Sequence, residues 1–203
     1  ITTGEGGAIV TDNADLYRRL MLLRSHGIER APERMVAGSA SDPWWHEQQV
    51  LGYNYRLCDI QAALGLAQNG RIGKFIGRRR EIAIGFDRAF AGLPHVRLVQ
   101  SRPDQRARSG HHLYILRFDF AALGKTRAKV MAELKAQGIG SQVHYIPVYK
   151  HPWHATAFPG GAQMFPTIEI FHRECLTLPC FPGMMGDDVT RVIAAVRGVV
   201  GAD

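Results

Sequence analysis

The chain has 203 residues, 46% of them apolar, and a formal charge of +7 at pH 7. That is enough apolar material for one large core or two small ones, and the positive balance suits a partner that carries phosphates. No apolar run reaches membrane length and no secretory leader is recognisable, which predicts a soluble, cytoplasmic protein without a membrane partner.

The first element is ITTGEGGAIVTDNADL, in which Gly4, Gly6 and Gly7 lead into Ala8, Ile9 and Val10. The apolar triplet reads as a short buried strand. The glycines precede that strand instead of joining a strand to a helix, so neither a dinucleotide fingerprint nor a P-loop is present, and a tight turn is predicted. Residues 13–25 read as a helix with Leu16, Leu20 and Leu23 on one face, Asp15 in the first turn and Gly27 closing it. His26, in the RSHG that follows, reads as a cation at the helix C-terminus.

A polar, proline-containing stretch runs through DPWWHE, and LCDIQAALGLAQ is then helical. FIGRRREIAIGFDRAF reads as a long helix with Arg78, Arg79 and Arg80 on its solvent side. Asn69, Gly70 and Gly73 interrupt good helix formers between these two, which places a domain boundary near residues 70–75. HHLYILRFDF alternates as a strand does. Residues 125–137 form a helix closed by Gly138, SQVHY is a strand, and GDDVTRVIAAVRGVV is a closing amphipathic helix. Strand and helix are mixed throughout, so the fold class is α/β with an α+β second part.

Chemistry could reside in three segments, one of them the RSHG of residues 24–27 with His26. In LGYNYRLCDIQAALG, Asn54 is either the N-cap of the apolar helix or, with Arg56, presents donors to an anion beside the helix N-terminus. QVHYIPVYKHPWH gathers His144, Tyr145, Tyr149, His151, Trp153 and His154 around two prolines. The spacing fits no zinc pattern, so the loop reads as the wall of a small-molecule cleft, with no metal. Cys58, Cys175 and Cys180 read as reduced structural thiols.

Taken in order, ITTGEGGAIVT, RSHG, DPWWHEQQVLGYNYRLCDIQAALGLAQ, RRREIA, HLYILRFDF, GIGSQVHYIPVY and LTLPCFPGM resemble the DegT/DnrJ/EryC1/StrS sugar-nucleotide aminotransferases along the whole chain. The resemblance implies the C-terminal half of a fold type I enzyme dependent on pyridoxal 5'-phosphate. Residues 1–72 would be the C-terminal part of the large cofactor-binding domain and residues 73–203 a complete small α+β domain. The Schiff-base lysine would lie just upstream of Ile1, leaving this chain without a catalytic residue and inactive alone. Lys74, Lys125, Lys129, Lys135 and Lys150 match no such motif and read as solvent-facing charges. The resemblance places Asn54 on the cofactor phosphate of the partner subunit, in trans across a homodimer with shared active sites. Arg56 would orient that loop or meet an anion, and His144 and Tyr145, with His26 and Tyr53, would sit near the substrate.

The DPWWHE…GYNYR and QVHYIPVY segments are most similar to family members of the pseudaminic-acid pathway. Those enzymes transaminate a UDP-linked 4-keto-6-deoxy-N-acetyl hexose, with L-glutamate as the family's donor, for surface polysaccharide biosynthesis. Two alternatives stay open: a dehydratase of the same family with histidine in the lysine position, and a basic nucleic-acid-binding module built on the arginine run, for which no accompanying motif is present. LAQNGRIGKFIG departs from relatives in its glycine content, which puts the regularity of the helix there in doubt.

Overall fold

The computed structural model describes residues 1–37, 42–99 and 102–202. In chain order the elements are α1 (Ala14–Arg24), β1 (Ile28–Glu29), β2 (Glu47–Gln48), α2 (Asp59–Asn69), α3 (Ile72–Phe90), β3 (Val96–Leu98), α4 (Pro103–Arg108), β4 (Tyr114–Phe118), α5 (Arg127–Ala136), the short turns α6 (Pro152–Ala155) and α7 (Gly161–Met164), α8 (Pro166–Glu174), β5 (Cys175–Leu178) and α9 (Gly186–Val200). Two 3-10 turns, Pro32–Arg34 and Val148–Lys150, complete it. The chain divides into two compact units, Ile1–Ile72 and Gly73–Asp203.

The second unit holds the hydrophobic core. β3, β4 and β5 form an antiparallel sheet in that order. The period-two pattern of YILRF turns Tyr114, Leu116 and Phe118 inward. They meet Phe86 and Phe90 of α3, Val130 and Leu134 of α5, and Val192, Val196 and Val199 of α9. α8 packs on β4. The register sets Arg97 opposite Arg117, a like-charge pair that would push the strands apart. Glu174, mostly buried, resolves it by pairing with both guanidinium groups at 2.7 Å.

The arginine run of α3 is not a solvated face. Arg78 donates to the Met184 carbonyl at 2.7 Å and Arg80 to the Ala107 carbonyl at 2.9 Å. Arg79 donates to the carbonyls of His111, His112 and Cys180 at 3.2, 3.1 and 2.8 Å. Lys125 also departs from the solvent-facing reading, donating to Glu133 at 2.8 Å and to the Val199 carbonyl at 2.7 Å. Lys150 pairs with Glu169 at 2.7 Å. SQVHY is not a strand: only Gln142 bridges to Thr177, because the chain leaves the sheet edge after one pair.

In the first unit the only buried positions among the described residues are Gly27, Glu29 and Glu47. α1 and α2 bury no side chain completely. Ala8, Ile9 and Val10 are not a strand. Among the described residues no strand pairs with them, and Val10 is 93% exposed. Gly4 has φ +82°, consistent with a tight turn. That turn is held by one face of α2. Gln68 brackets Thr2, accepting its N–H at 3.1 Å and donating to its carbonyl at 2.7 Å, and Gln61 donates to the Glu5 carbonyl at 2.7 Å. Gly65 lies between them on the same face, since positions four and three residues apart stack along a helix, and a Cβ there would press on Thr3.

Candidate functional site

Four of the sequence-predicted residues, His26, Tyr53, Asn54 and Arg56, lie together in the first unit. Glycine makes this possible. α1 ends at Arg24, and Gly27, at φ +73°, returns its N–H to the Leu22 carbonyl at 2.7 Å. A Cβ on Gly27 would overlap the Val50 carbonyl oxygen, and one on Gly52 would overlap the Gly27 nitrogen. With both side chains absent, residues 25–27 run against residues 50–55. Ser25 bridges to Asn54, His26 donates its N–H to the Tyr53 carbonyl at 2.7 Å, and Tyr55 donates to the Arg24 carbonyl at 2.9 Å.

The side chains follow from that pairing. Arg56 donates Nε–H to Asn54 Oδ1 at 3.1 Å, and its NH2 group lies 3.4 Å from His26 Nε2. A guanidinium has donors only, so the oxygen of the Asn54 amide faces Arg56 and its NH2 group faces away. Asn54 is not the helix cap: α2 starts at Asp59, and Cys58 occupies the N-cap position, donating its N–H to Gln61 Oε1 at 3.3 Å. Tyr53 and Tyr55 stack at 4.8 Å and are both exposed.

DPWWHE contributes something the sequence did not indicate. Glu47 is 8% exposed and accepts from the N–H groups of Val36 and Ala37 at 2.7 and 2.6 Å. Opposite it in the β1–β2 pair, Glu29 accepts from Arg34, Arg30 and Ala31. Arg34 above all, then the Ala31 N–H, hold the Glu29 carboxyl down at about 2. The Glu47 carboxyl is likewise lowered, first by the Val36 N–H. Two buried acids thus gather the loop between the strands onto themselves. The signal available in sequence was acids at strand positions beside a long polar loop.

His144 and Tyr145 lie together in the second unit. His144 Nδ1 is 2.9 Å from the Thr177 hydroxyl on β5, and Thr177 is buried. The Tyr145 ring meets the imidazole edge-on at 4.7 Å and is 74% exposed. The rest of the aromatic loop does not share this role. Tyr149 stacks on Phe165 and donates to Glu169 at 2.7 Å; burial and that carboxylate push its hydroxyl up to about 12. Trp153 is exposed. A cavity of about 600 Å³ lies in the first unit and one of about 310 Å³ in the second, and neither is lined by this loop. Among the described residues no group of three or more His, Cys, Asp or Glu is arranged to hold a metal ion, and no helix is long and apolar enough to cross a membrane.

Residues 1–197 match the DegT/DnrJ/EryC1/StrS aminotransferase family. The chain is 37% identical over 205 residues to the spore coat polysaccharide biosynthesis protein SpsC of Bacillus subtilis, a match covering all of this chain and 52% of that protein. Helicobacter pylori PseC, an aminotransferase of pseudaminic acid biosynthesis, superposes with a TM-score of 0.79 at 27% identity, over 99% of this chain and 50% of PseC. DesV of S. venezuelae gives 0.78 at 28% identity, over 96% and 46%. The chain spans about half the length of the relatives it matches.

Proposed function

The chain belongs to the DegT/DnrJ/EryC1/StrS aminotransferase family, whose members depend on pyridoxal 5'-phosphate, and from that premise we propose that it is the C-terminal half of a sugar-nucleotide transaminase. In this reading Ile1–Ile72 is the end of the large domain and Gly73–Asp203 the small domain. The enzyme is a cytoplasmic homodimer that converts a UDP-linked 4-keto-6-deoxy-N-acetyl hexose to its 4-amino sugar with L-glutamate as donor. Similarity to PseC and SpsC supports the substrate class.

The observation that carries the proposal is the Asn54–Arg56 contact. It fixes the Asn54 amide with its oxygen taken and its two N–H donors outward, which suits a phosphate. The chemistry that pyridoxal 5'-phosphate supplies when bound is an electron sink for moving an amino group. The residues of this chain bind and orient. Asn54 donates to the phosphate of the cofactor held by the partner subunit, and Arg56 fixes Asn54 and adds positive charge. His26, beside Arg56 and held by its N–H on the Tyr53 carbonyl, completes the loop, with the stacked rings of Tyr53 and Tyr55 following in the chain. His144, its Nδ1 fixed by Thr177, presents Nε2 to the sugar nucleotide, with the exposed Tyr145 ring alongside. Gln61 and Gln68 hold the glycine turn that follows the lysine position.

The test uses the whole enzyme. Asn54→Asp sets a like charge beside the phosphate, and Asn54→Ser shortens the reach. Each loses a hydrogen bond to a charged group, so cofactor retention weakens by about 1.5–3 kcal/mol, tenfold or more. Asn54 is exposed and caps no helix, so melting of the apo form stays nearly unchanged. Cofactor absorbance after dialysis reads the first effect and apo melting the second. If both variants keep their cofactor, the site assignment fails. If the wild type dehydrates the UDP-sugar at C3 without transferring an amine, the reaction assignment fails.

A further inference from the structure

The amide of Gln61 has both of its ends engaged by backbone. Its Oε1 accepts the Cys58 N–H at 3.3 Å, just beyond Arg56, and its Nε2 donates to the Glu5 carbonyl at 2.7 Å in the glycine turn. An N–H requires the oxygen and a carbonyl requires the NH2 group, so turning the amide over would lose both bonds. Capping α2 needs only the first of them. The second has no part in the cap, and it ties the end of the GYNYRL segment to a turn 56 positions away from Gln61.

Neighbouring contacts hold the same two stretches together. Leu57 lies against Gly6, where a Cβ would come within 3.1 Å of Leu57 Cδ1. Gln68, two helical turns beyond Gln61 on the same face, accepts the Thr2 N–H at 3.1 Å and donates to the Thr2 carbonyl at 2.7 Å. Gly65, between the two glutamines, lets Thr3 approach. All of these contacts are made within Ile1–Ile72. A donor on a loop fixed beforehand gives its full hydrogen bond to a ligand, whereas a loop that must be ordered on binding gives part of it back.

We propose that Gln61 is a positioning residue that anchors the Asn54–Arg56 loop to the glycine turn, so that Asn54 meets the cofactor phosphate already ordered. The proposal rests on the reading above, in which Asn54 serves the partner subunit's cofactor and the turn follows this subunit's own cofactor lysine. It deepens that reading, because one amide then joins the two active sites of the dimer.

Titration of the whole apo enzyme with pyridoxal 5'-phosphate, read by absorbance, tests it. Gln61→Met loses both bonds. Gln61→Glu keeps an oxygen for the Cys58 N–H and sets a carboxylate against the Glu5 carbonyl, so it restores a cap and not the anchor. Both variants are expected to weaken the cofactor about two- to tenfold, although melting of the apo forms should place Gln61→Glu above Gln61→Met. Cofactor affinity in Gln61→Glu equal to wild type overturns the proposal, since capping alone would then account for Gln61. Asn54→Ser supplies the second arm. Its loss of about tenfold in the parent enzyme should shrink to about threefold or less in the Gln61→Glu background, because the two residues act through one loop. A full tenfold loss in both backgrounds overturns the anchor and leaves the assignment of Asn54 standing. No loss from Asn54→Ser in either background removes that assignment and the anchor with it.

Discussion

Replacing Arg79 with methionine keeps the apolar stem of the side chain and removes its charged head. The NH1 group has two hydrogens and three carbonyl acceptors within 3.2 Å, so one bond is shared and the loss amounts to about two full charge-assisted bonds. At about 1.5–3 kcal/mol each, the upper limit is roughly 3–6 kcal/mol. His112 is exposed and water can replace its bond, whereas His111 and Cys180 are buried and their carbonyls have less access to solvent. The expected destabilisation is therefore about 2–3 kcal/mol. Urea unfolding followed by far-UV circular dichroism should show a lower midpoint with an unchanged slope, since the same surface is exposed on unfolding. Arg88→Met, at an exposed position on the same helix, should stay within about 0.5 kcal/mol of wild type. Equal losses in the two variants would mean that the carbonyl contacts of Arg79 contribute nothing, and the structural account of the arginine run would be wrong.

Acid should loosen the β1–β2 loop of the first unit. The Glu29 carboxyl is lowered from 4.5 to about 2, so its stabilising contribution is complete above pH 4.5 and is lost as pH falls toward 2. The fluorescence of Trp45, whose indole donates to the Ala37 carbonyl, should shift over that window and lose the transition in Glu29→Gln; a shift centred near pH 6 would contradict it. Borohydride reduction of isolated Ile1–Asp203 with pyridoxal 5'-phosphate should label no single lysine stoichiometrically, because Lys125, Lys129 and Lys150 lie against carboxylates and Lys74 and Lys135 are simply exposed. Peptide mapping that finds one dominant labelled lysine would overturn the proposal that the cofactor lysine lies outside this chain.

The helices were legible where local signals agreed. Asn13 caps α1 through the Leu16 N–H, Thr126 caps α5 through Lys129, and the spacing of Val192, Val196 and Val199 fixes the inner face of α9. The failures share one cause, which is that the deciding partner is distant in sequence. Ala8–Ile9–Val10 has strand composition and, among the described residues, no strand to pair with, and residues 141–145 touch the sheet at a single pair. Arg78 to Arg80 look like a charged stripe until the carbonyls a hundred residues away are in place. The meeting of His26 with Arg56 depends on two glycines tolerating a backbone crossing, and no periodicity encodes that. Thr177 is hidden for the same reason, since its role is defined by the loop that folds onto it.

The absence of large buried apolar side chains among the described residues of the first unit has a calorimetric consequence. A globular chain gains roughly 12–15 cal/mol/K of heat capacity per residue on unfolding, chiefly because apolar groups move from the interior into water. Tyr17, Trp44, Leu51, Tyr53, Tyr55 and Leu66 of the first unit are each more than half exposed when folded, so they add little to that step. The heat-capacity increment of the chain should therefore fall below the value its length would suggest, and a stability curve extrapolated with a length-based increment would bend too steeply.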